Sequence, residues 1–235
     1  MHKLNTGYTM KKRNKCTKHA KRFIKSHGGN PRNRSTKLRR PHHLIFAHPH
    51  IVQKPNAFGI GTYAHKPIPK GTILIKERPH NITAITRDDP NYIFALIKHL
   101  ILHSLAEFIS LVPLKLDDVP TYKYQDIQSM HKKHLPHLTE DDALLYYTKY
   151  KRNTFRFGDN PGILFYATRL NHSCSPNVSY MKDNDHIVFT TTRDLAANDE
   201  IFDSYINPNM STPERKNVLY NRYGFHCGCE KCSVV

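Results

Sequence analysis

The fold of this chain is set by one polar segment, Arg169-Leu170-Asn171-His172-Ser173-Cys174-Ser175-Pro176-Asn177. It follows the apolar residues 163–166 and leads into a candidate strand at residues 177–180. Such a segment must satisfy many backbone hydrogen-bonding groups inside the fold, and Asn, His and Ser side chains are able to do so. The same side chains suit a polar cofactor. The segment is therefore either a buried turn or part of a binding site.

Three other segments favour the binding site. Downstream lie Asp199-Glu200-Ile201-Phe202-Asp203-Ser204-Tyr205, of which residues 200–205 are a predicted strand that ends on a tyrosine, and the C-terminal Tyr223-Gly224-Phe225-His226-Cys227-Gly228-Cys229-Glu230-Lys231-Cys232. Upstream, residues 58–64 (FGIGTYA) contain two glycines that allow a backbone to approach a ligand closely. We expect residues 58–64 and 72–76 to pair as strands, with residues 67–71 as the turn between them.

In this order and with these spacings, the four segments resemble those of the SET-domain protein-lysine methyltransferases. The resemblance covers about residues 57 to 232 and is nearest to the branch that combines SET with a MYND zinc finger. It implies a mostly-β, SET-type fold of short sheets with a helical insertion, a knot-like threading of the C-terminal segment and a zinc-bound post-SET tail. Where that branch carries its finger, this chain has no run of paired Cys and His, so we expect the finger to be absent.

The resemblance also implies S-adenosylmethionine as the cofactor. The residues matching its cofactor-binding positions are Gly59, Gly61, Asn153, Asn171, His172, Tyr205, Tyr223 and Phe225. For Asn153 the alternative is a helix C-cap. Ile60 replaces a polar residue of the family, which removes one expected contact. Tyr205 matches the catalytic tyrosine, with a core tyrosine as the alternative, and no Asp or Glu is assigned as a base.

The three C-terminal cysteines predict a metal site. Cys227, Cys229 and Cys232 cannot all pair with one another, yet they can occupy three corners of a zinc tetrahedron. The resemblance supplies Cys174 as the fourth ligand, and Cys16 is left over. Four thiolates leave no open position for chemistry, so the zinc would be structural. The alternative is a frayed tail with unliganded thiols.

Charge is distributed unevenly along the chain. The formal net charge is +17, yet residues 1–76 hold 18 of the 36 Lys and Arg and no acid, so residues 77–235, with 18 bases and 19 acids, sum to −1. We therefore predict a basic disordered tail at residues 1–42, a SET domain at residues 51–225 and a post-SET tail at residues 226–235. The tail is either a solubility segment, a nuclear-localisation signal with non-specific nucleic-acid contact, or, less consistently with Gly28 and Pro31, a mitochondrial transit peptide.

The helical insertion is predicted at about residues 88–152. Asp89-Pro90 resembles a helix start, and an apolar stretch follows at residues 92–112. Lys98, His99, His103 and Glu107 interrupt this stretch and favour one buried helix over a membrane span. Thr139 and Ser211 are predicted to cap two later helices, the second ending near Gly224. We interpret His42, His43, His48 and His50 as solvated, because no ligand spacing links them.

These features together predict a protein-lysine methyltransferase that uses S-adenosylmethionine. A histone tail is the first expectation for the substrate, with ribosomal or translation proteins as the alternative. A catalytically silent SET module that binds chromatin or RNA through its basic arm is the second function class. The odd cysteine number and the absence of a secretory signal favour the nucleus, with the cytoplasm also possible, and no membrane association is expected.

Overall fold

The computed structural model describes residues 43–57, 59–81, 91–116, 122–157 and 161–233. The predicted basic tail at residues 1–42, Phe58 and the helix start at Asp89-Pro90 lie outside the described residues. The strands are β1 (Leu44–Ala47), β2 (Ile51–Asn56), β3 (Gly59–Ala64), β4 (Ile73–Glu77), β5 (Thr154–Phe155), β6 (Gly162–Ile163), β7 (Asn171–His172), β8 (Val178–Asp183), β9 (His186–Thr191) and β10 (Glu200–Asp203). The helices are α1 (Tyr92–His103), α2 (Leu105–Ser110), α3 (Gln128–His134), α4 (Glu140–Asn153), α5 (Thr212–Tyr223) and α6 (Glu230–Ser233).

Short sheets form the body of the described chain, as predicted. One has the order β1-β4-β9-β8, a second has the order β2-β3-β10-β7, and β5 pairs with β6. The predicted pairing of residues 58–64 with 72–76 was wrong. β3 pairs with β2 and β10, whereas β4 pairs with β1 and β9, so the two segments belong to different sheets. The linker between them is held instead by a bridge from Ile68 to Leu195.

The helical insertion has an apolar core of its own, separate from that of the sheets. The predicted single helix at residues 92–112 is two helices, α1 and α2, which meet at Ser104. The core-facing residues of α1, such as Leu96 and Leu100, are fully buried, while His99 and His103 are exposed. None of the helices in the described segments is long and apolar enough to cross a lipid bilayer.

The two predicted helix caps are confirmed. The hydroxyl of Thr139 accepts the backbone N–H of Asp142 at the start of α4. Ser211 and Glu214 form a reciprocal capping box at the start of α5, and Gly224 ends that helix with a left-handed φ of 78°. A glycine suits this position because it lacks the Cβ that penalises positive φ in other residues.

The polar segment at residues 169–177 runs beside β10. β7 pairs in parallel with β10, and the backbone N–H of Ser173 donates to the carbonyl of Asp203 at 2.9 Å. The fully buried side chain of Asn177 completes the contact, donating to the carbonyl of Glu200 and accepting from the N–H of Phe202, each at 2.8 Å. β10 and the polar segment are thereby held side by side.

Glu77 fixes the turn that precedes this segment. It is fully buried at the end of β4, and its two carboxylate oxygens accept the backbone N–H groups of Tyr166 and Ala167, each at 2.9 Å. Burial raises the pKa of Glu77 to about 7, while the same amide donors act in the opposite direction. The carboxylate of Glu77 therefore fixes the backbone turn that leads into Asn171 and His172.

Candidate active site

A cavity of about 710 Å³ lies where α4, β7, β10 and the C-terminal tail meet. Pockets for small-molecule ligands have volumes in this range. Six of the eight predicted cofactor-binding residues line it: Asn153, Asn171, His172, Tyr205, Tyr223 and Phe225. Segments that are far apart in sequence thus contribute to one cavity, whereas Gly59 and Gly61 are not among its lining residues.

The two glycines lie next to the cavity wall. Gly59 has a φ of +122°, a conformation that other residues rarely adopt, and a Cβ there would lie 3.9 Å from Val112, which lines the cavity. At Gly61 a Cβ would come within 2.6 Å of both Glu200 Oε1 and Asn56 Nδ2. Gly61 therefore makes room for side chains that support the cavity.

Those side chains form a hydrogen-bonded group around Glu200. Its Oε1 accepts from Asn171 Nδ2 at 2.7 Å and from Asn56 Nδ2 at 3.0 Å. The side-chain Nδ2 of Asn171 therefore has its hydrogen-bond partner in Glu200. Asn171 is held in place from β10, and sequence reasoning had not singled out Glu200 for this role.

Asn153 connects the helical insertion to the cavity. Its side chain is buried, and its Nδ2 donates to the carbonyls of Val112 at 2.6 Å and Lys149 at 2.7 Å. The C-cap of α4 is Thr154, so the alternative role proposed for Asn153 is not the one observed. Its amide instead ties α4 to the chain after α2.

Tyr205 is the most firmly anchored residue of the cavity. Its hydroxyl donates to the carbonyl of Leu170 at 2.8 Å, and its backbone N–H donates to Nδ1 of His172 at 3.0 Å. The hydroxyl of Tyr223 donates to the Tyr205 carbonyl at 3.1 Å, and the two rings lie 5.1 Å apart. Burial raises the pKa of the Tyr205 phenol, so it is neutral at pH 7.

His172 faces both Tyr205 and the cysteines. Because a backbone N–H can only donate, Nδ1 of His172 is the acceptor and the neutral ring carries its proton on Nε2. Nε2 lies 3.3 Å from the sulfur of Cys174. Burial, and then the charge of Arg215, lower the pKa of His172 to about 4, which keeps the ring neutral.

The four predicted cysteines converge. The sulfurs of Cys174, Cys227, Cys229 and Cys232 all lie within 4.8 Å of one another, with Cys174 3.5 Å from Cys232 and 4.0 Å from Cys227. In a zinc tetrahedron with bonds of about 2.3 Å, neighbouring sulfurs are about 3.8 Å apart. The donor set and its spacing therefore fit a four-coordinate zinc ion.

Arg215 is packed against this sulfur group and was not anticipated from the sequence. It is 3% exposed, and its Nη2 donates to the carbonyl of Lys231 at 2.9 Å and lies 3.7 Å from the sulfur of Cys232. Four thiolates around a divalent ion carry a net charge of about −2. A buried guanidinium beside them offsets part of that charge. No sequence pattern distinguishes an arginine in the first turns of a capped helix as a neighbour of a metal site.

Asp203 is a second residue that sequence reasoning missed. Its side chain is 4% exposed, it lines the cavity two residues before Tyr205, and no ion pair joins it to a described residue. Burial raises the pKa of Asp203 to about 7. Burial also raises the pKa values of Tyr180, Tyr205 and Tyr223, and the charge of Asp203 adds to that effect. A carboxyl group in an aromatic cavity favours a cationic ligand.

The model of one protein family, the SET domain, matches residues 59–206, which is more than half of the chain. This chain belongs to the SET-domain family. No MYND finger is seen in the part of the chain that the structure describes. A SET domain-containing protein of Acanthamoeba polyphaga mimivirus is 31% identical over 187 residues, which cover 74% of this chain and 73% of that protein.

Two shorter similarities are to named methyltransferases. The histone-lysine N-methyltransferase set5 of Schizosaccharomyces pombe is 37% identical over 75 residues, and SMYD3 of Homo sapiens, also named a histone-lysine N-methyltransferase, is 35% identical over 65. The alignments cover 31% and 28% of this chain. They cover only 24% and 15% of those proteins, so the SET-domain chain matches a small part of each.

The solved structures confirm the fold. The SET domain of LSMT bound to lysine and AdoHcy superposes with a TM-score of 0.57 at 14% identity, covering 78% of this chain and 54% of that one. Rubisco LSMT bound to AdoMet gives a TM-score of 0.53 at 13% identity, covering 79% and 54%. These neighbours show that the chain has a SET-type fold.

Proposed function

We propose that this SET-domain chain transfers a methyl group from S-adenosylmethionine to a lysine side chain of a protein, with histones as the substrate class. The observation that carries the proposal is the position of Tyr205, anchored at the hydroxyl by Leu170 and at the backbone by His172 in a cavity of about 710 Å³. The names of the fungal and human relatives support histones as the substrate.

The cavity fits the cofactor chemically. Its lining combines the rings of Tyr223 and Phe225, on which an adenine can pack, with the buried carboxyl group of Asp203, which favours a cation. Bound S-adenosylmethionine supplies a sulfonium-activated methyl group. Asn171 and His172 are the polar residues that we assign to holding the cofactor, together with Asn153 at the end of α4.

Tyr205 has one clear role in such a transfer. Its O–H is already donated to Leu170, so its oxygen lone pairs remain to accept an N–H from an incoming amine. The phenol is neutral because burial raises its pKa, and it therefore orients the amine and does not act as a base. Alignment and electrostatic stabilisation supply the acceleration in this scheme.

The attacking lysine must be neutral. A free lysine has a pKa near 10.4, so the neutral amine costs about 4–5 kcal/mol at pH 7. A buried, largely apolar environment lowers that cost by disfavouring the ammonium form. Val112, Phe155 and Phe202 supply apolar surface on the cavity wall.

We propose a structural zinc ion at Cys174, Cys227, Cys229 and Cys232. The C-terminal tail that this ion would hold directly follows Phe225, whose ring lies 5.9 Å from that of His172. Four thiolates would leave no coordination site for substrate. The ion would thus fix one wall of the cavity.

We propose that the chain acts in the nucleus. The excess of basic residues before Glu77 supports nuclear import and non-specific contact with nucleic acid. Binding to DNA of unrelated sequence should then weaken steeply with salt. Deletion of residues 1–42 is expected to reduce that salt dependence, and an unchanged slope would contradict the role of the arm.

The test is transfer of a tritiated methyl group from S-adenosylmethionine onto purified core histones and onto a ribosomal-protein mixture. We expect labelled histones, and at least a ~100-fold loss of labelling in Tyr205→Phe with cofactor binding retained, since removing one preorganised hydrogen-bonding group from the transition state has effects of that size. Tyr220→Phe, which changes an exposed tyrosine of α5, is the matched control.

The outcomes separate the function classes. Labelling confined to ribosomal proteins would keep the methyl transfer and overturn the histone assignment. Cofactor binding with no labelling of either mixture would favour the silent SET module that binds through its basic arm. Labelling that Tyr205→Phe leaves unchanged would overturn the role of the phenol.

A further inference from the structure

A second, smaller cavity lies away from the proposed active site. It has a volume of about 170 Å³ and lies between β6 and the helices α1 and α2. Four imidazoles and one carboxylate line it: His43, His80, His99, His103 and Glu107. None of these residues lines the larger cavity, and the proposed methyl transfer uses none of them.

His80 is held in place at this cavity by its backbone hydrogen bonds and by the packing of its ring. Its backbone N–H and carbonyl both pair with Ile163, at 2.8 and 3.0 Å. Its ring lies 3.6 Å from that of His43 and 4.6 Å from that of Phe165, centroid to centroid. The predicted solvation of His43 is therefore wrong, because folding places it against His80 and leaves it only partly exposed.

The ring of His80 has an unused nitrogen. The residue is 8% exposed, and its Nε2 is buried with no hydrogen-bond partner among the described residues. Leaving such a group unsatisfied costs about 1–3 kcal/mol, so its position calls for an explanation. A metal ion bound at about 2.0–2.1 Å needs less room beside a nitrogen than a hydrogen-bonded water does.

His99 and His103 are the lining residues of this cavity whose side chains are free to rotate. They are four residues apart on α1, both are exposed, and their ring centroids are 4.5 Å apart. Histidines at this helical spacing project from the same face and form a recognised pair of zinc ligands. Glu107 follows four residues later, in α2, and is the one carboxylate among the residues that line the cavity.

We propose that His80, His99 and His103 bind a divalent late transition-metal ion, with Glu107 as a fourth ligand. Imidazole nitrogens suit Zn²⁺ and Ni²⁺, and three imidazoles with one carboxylate complete a four-coordinate set. Binding requires the two exposed imidazoles to rotate toward His80, between staggered side-chain conformations that exposed residues exchange readily. The buried nitrogen of His80 then gains the partner it lacks.

The protonation states are compatible with this proposal. Burial, together with the neighbouring His43 and His99, lowers the pKa of His80 to about 3. Burial and the neighbouring His103 also lower the pKa of His99. Neutral imidazole is the form that binds a metal.

Such an ion would join the two cores of the domain. His80 is paired to β6 at the edge of the sheets, whereas His99 and His103 belong to the helical insertion. Coordination would brace the insertion against the sheets. Val112 and Asn153 of the insertion line the larger cavity. By fixing the position of the insertion, the metal ion would therefore affect the wall of the proposed active site, although it would not itself contact that cavity.

The test uses the full chain, first loaded with one equivalent of zinc for the four-cysteine group, and then titrated with NiCl₂ by calorimetry. The proposal expects His99→Ala/His103→Ala to weaken nickel binding by at least ~10-fold, since lost metal-site interactions have effects of this size or more. The control is His65→Ala/His137→Ala, two exposed histidines outside the cavity, which should leave this binding unchanged.

A second measurement tests His80 in the unaltered protein, since a substitution at this buried position would also alter the packing around it. Paramagnetic Ni²⁺ is expected to broaden the imidazole resonances of His80 together with those of His99 and His103 in nitrogen-correlated NMR spectra. Broadening of the helical pair alone would show a surface chelate and overturn the three-histidine site. Equal nickel affinity in the His99/His103 variant and its control would overturn the proposal altogether.

Discussion

The backbone N–H of Tyr205 donates to Nδ1 of His172 at 3.0 Å. The other ring nitrogen of His172 lies 3.3 Å from the sulfur of Cys174. One imidazole thus contacts both the proposed catalytic residue and the proposed zinc site. A change in the position of the four sulfurs should therefore alter the position of Tyr205, because the ring of His172 cannot move away from Cys174 without disturbing its hydrogen bond to Tyr205.

This link predicts the effect of His172→Phe. The substitution keeps a ring of similar shape but removes the acceptor for the Tyr205 N–H, and a part-buried donor left unsatisfied costs about 1–3 kcal/mol. We expect a loss of that size in the free energy of unfolding, measured in urea, and a fall in kcat for methyl transfer. Unchanged stability together with unchanged kcat would contradict the link.

The sulfur group predicts one zinc ion per chain. Replacing Cys232 with Ser removes one ligand, so we expect the zinc content, measured by mass spectrometry of the metal, to fall from about one to near zero. The tail at residues 226–233 should then become sensitive to protease. Cys16→Ser, which changes the one cysteine outside the group, should keep full zinc content; equal metal loss in both variants would exclude the four-thiolate site.

Asp203 predicts a pH dependence of stability. Burial raises its pKa in the folded state from 3.8 to about 7, so between these values the folded chain holds a proton that the unfolded chain releases. Stability from this group is therefore present below pH 4 and is lost as pH rises to about 7. The unfolding free energy of the unaltered protein should drop by about 2–3 kcal/mol more than that of Asp203→Asn between pH 5 and 7.

The control for this comparison is Asp194→Asn, an exposed aspartate whose Oδ1 accepts the N–H of Lys70. An asparagine preserves that acceptor, so this variant should follow the unaltered protein across the pH range. Parallel curves for the unaltered protein and Asp203→Asn would show that Asp203 does not titrate in this window.

Asn177 predicts a large effect on folding. Its side chain satisfies the carbonyl of Glu200 and the N–H of Phe202, both at 2.8 Å, in a fully buried position. Asn177→Ala leaves two buried groups unsatisfied, at about 1–3 kcal/mol each. Ser179→Ala, two residues further and exposed, should change stability by less than about 0.5 kcal/mol. Similar urea midpoints for the two variants would contradict this role of Asn177.

Local patterns predicted the elements whose cause is local. The capping box at Ser211, the left-handed glycine at Gly224 and the cap at Thr139 depend on residues within a few positions of one another, and all three are present. The C-x-C-x-x-C spacing likewise places three sulfurs close together through the chain itself. Local patterns did not predict strand pairing that depends on residues far apart in sequence. β3 and β4 are neighbours in sequence, yet they belong to different sheets.

The sequence by itself determined the family, a strand that begins at Glu200 and the identity of the four cysteines. The strand ends at Asp203, however, and not at Tyr205 as predicted. Only the tertiary structure decided that Asp203 faces the cavity, that Arg215 lies beside the sulfurs and that His80 lines one cavity with His99 and His103. The physical reason is that burial and long-range proximity set both the pKa of a side chain and its partners. A residue's neighbours in sequence do not fix the environment that folding brings to it.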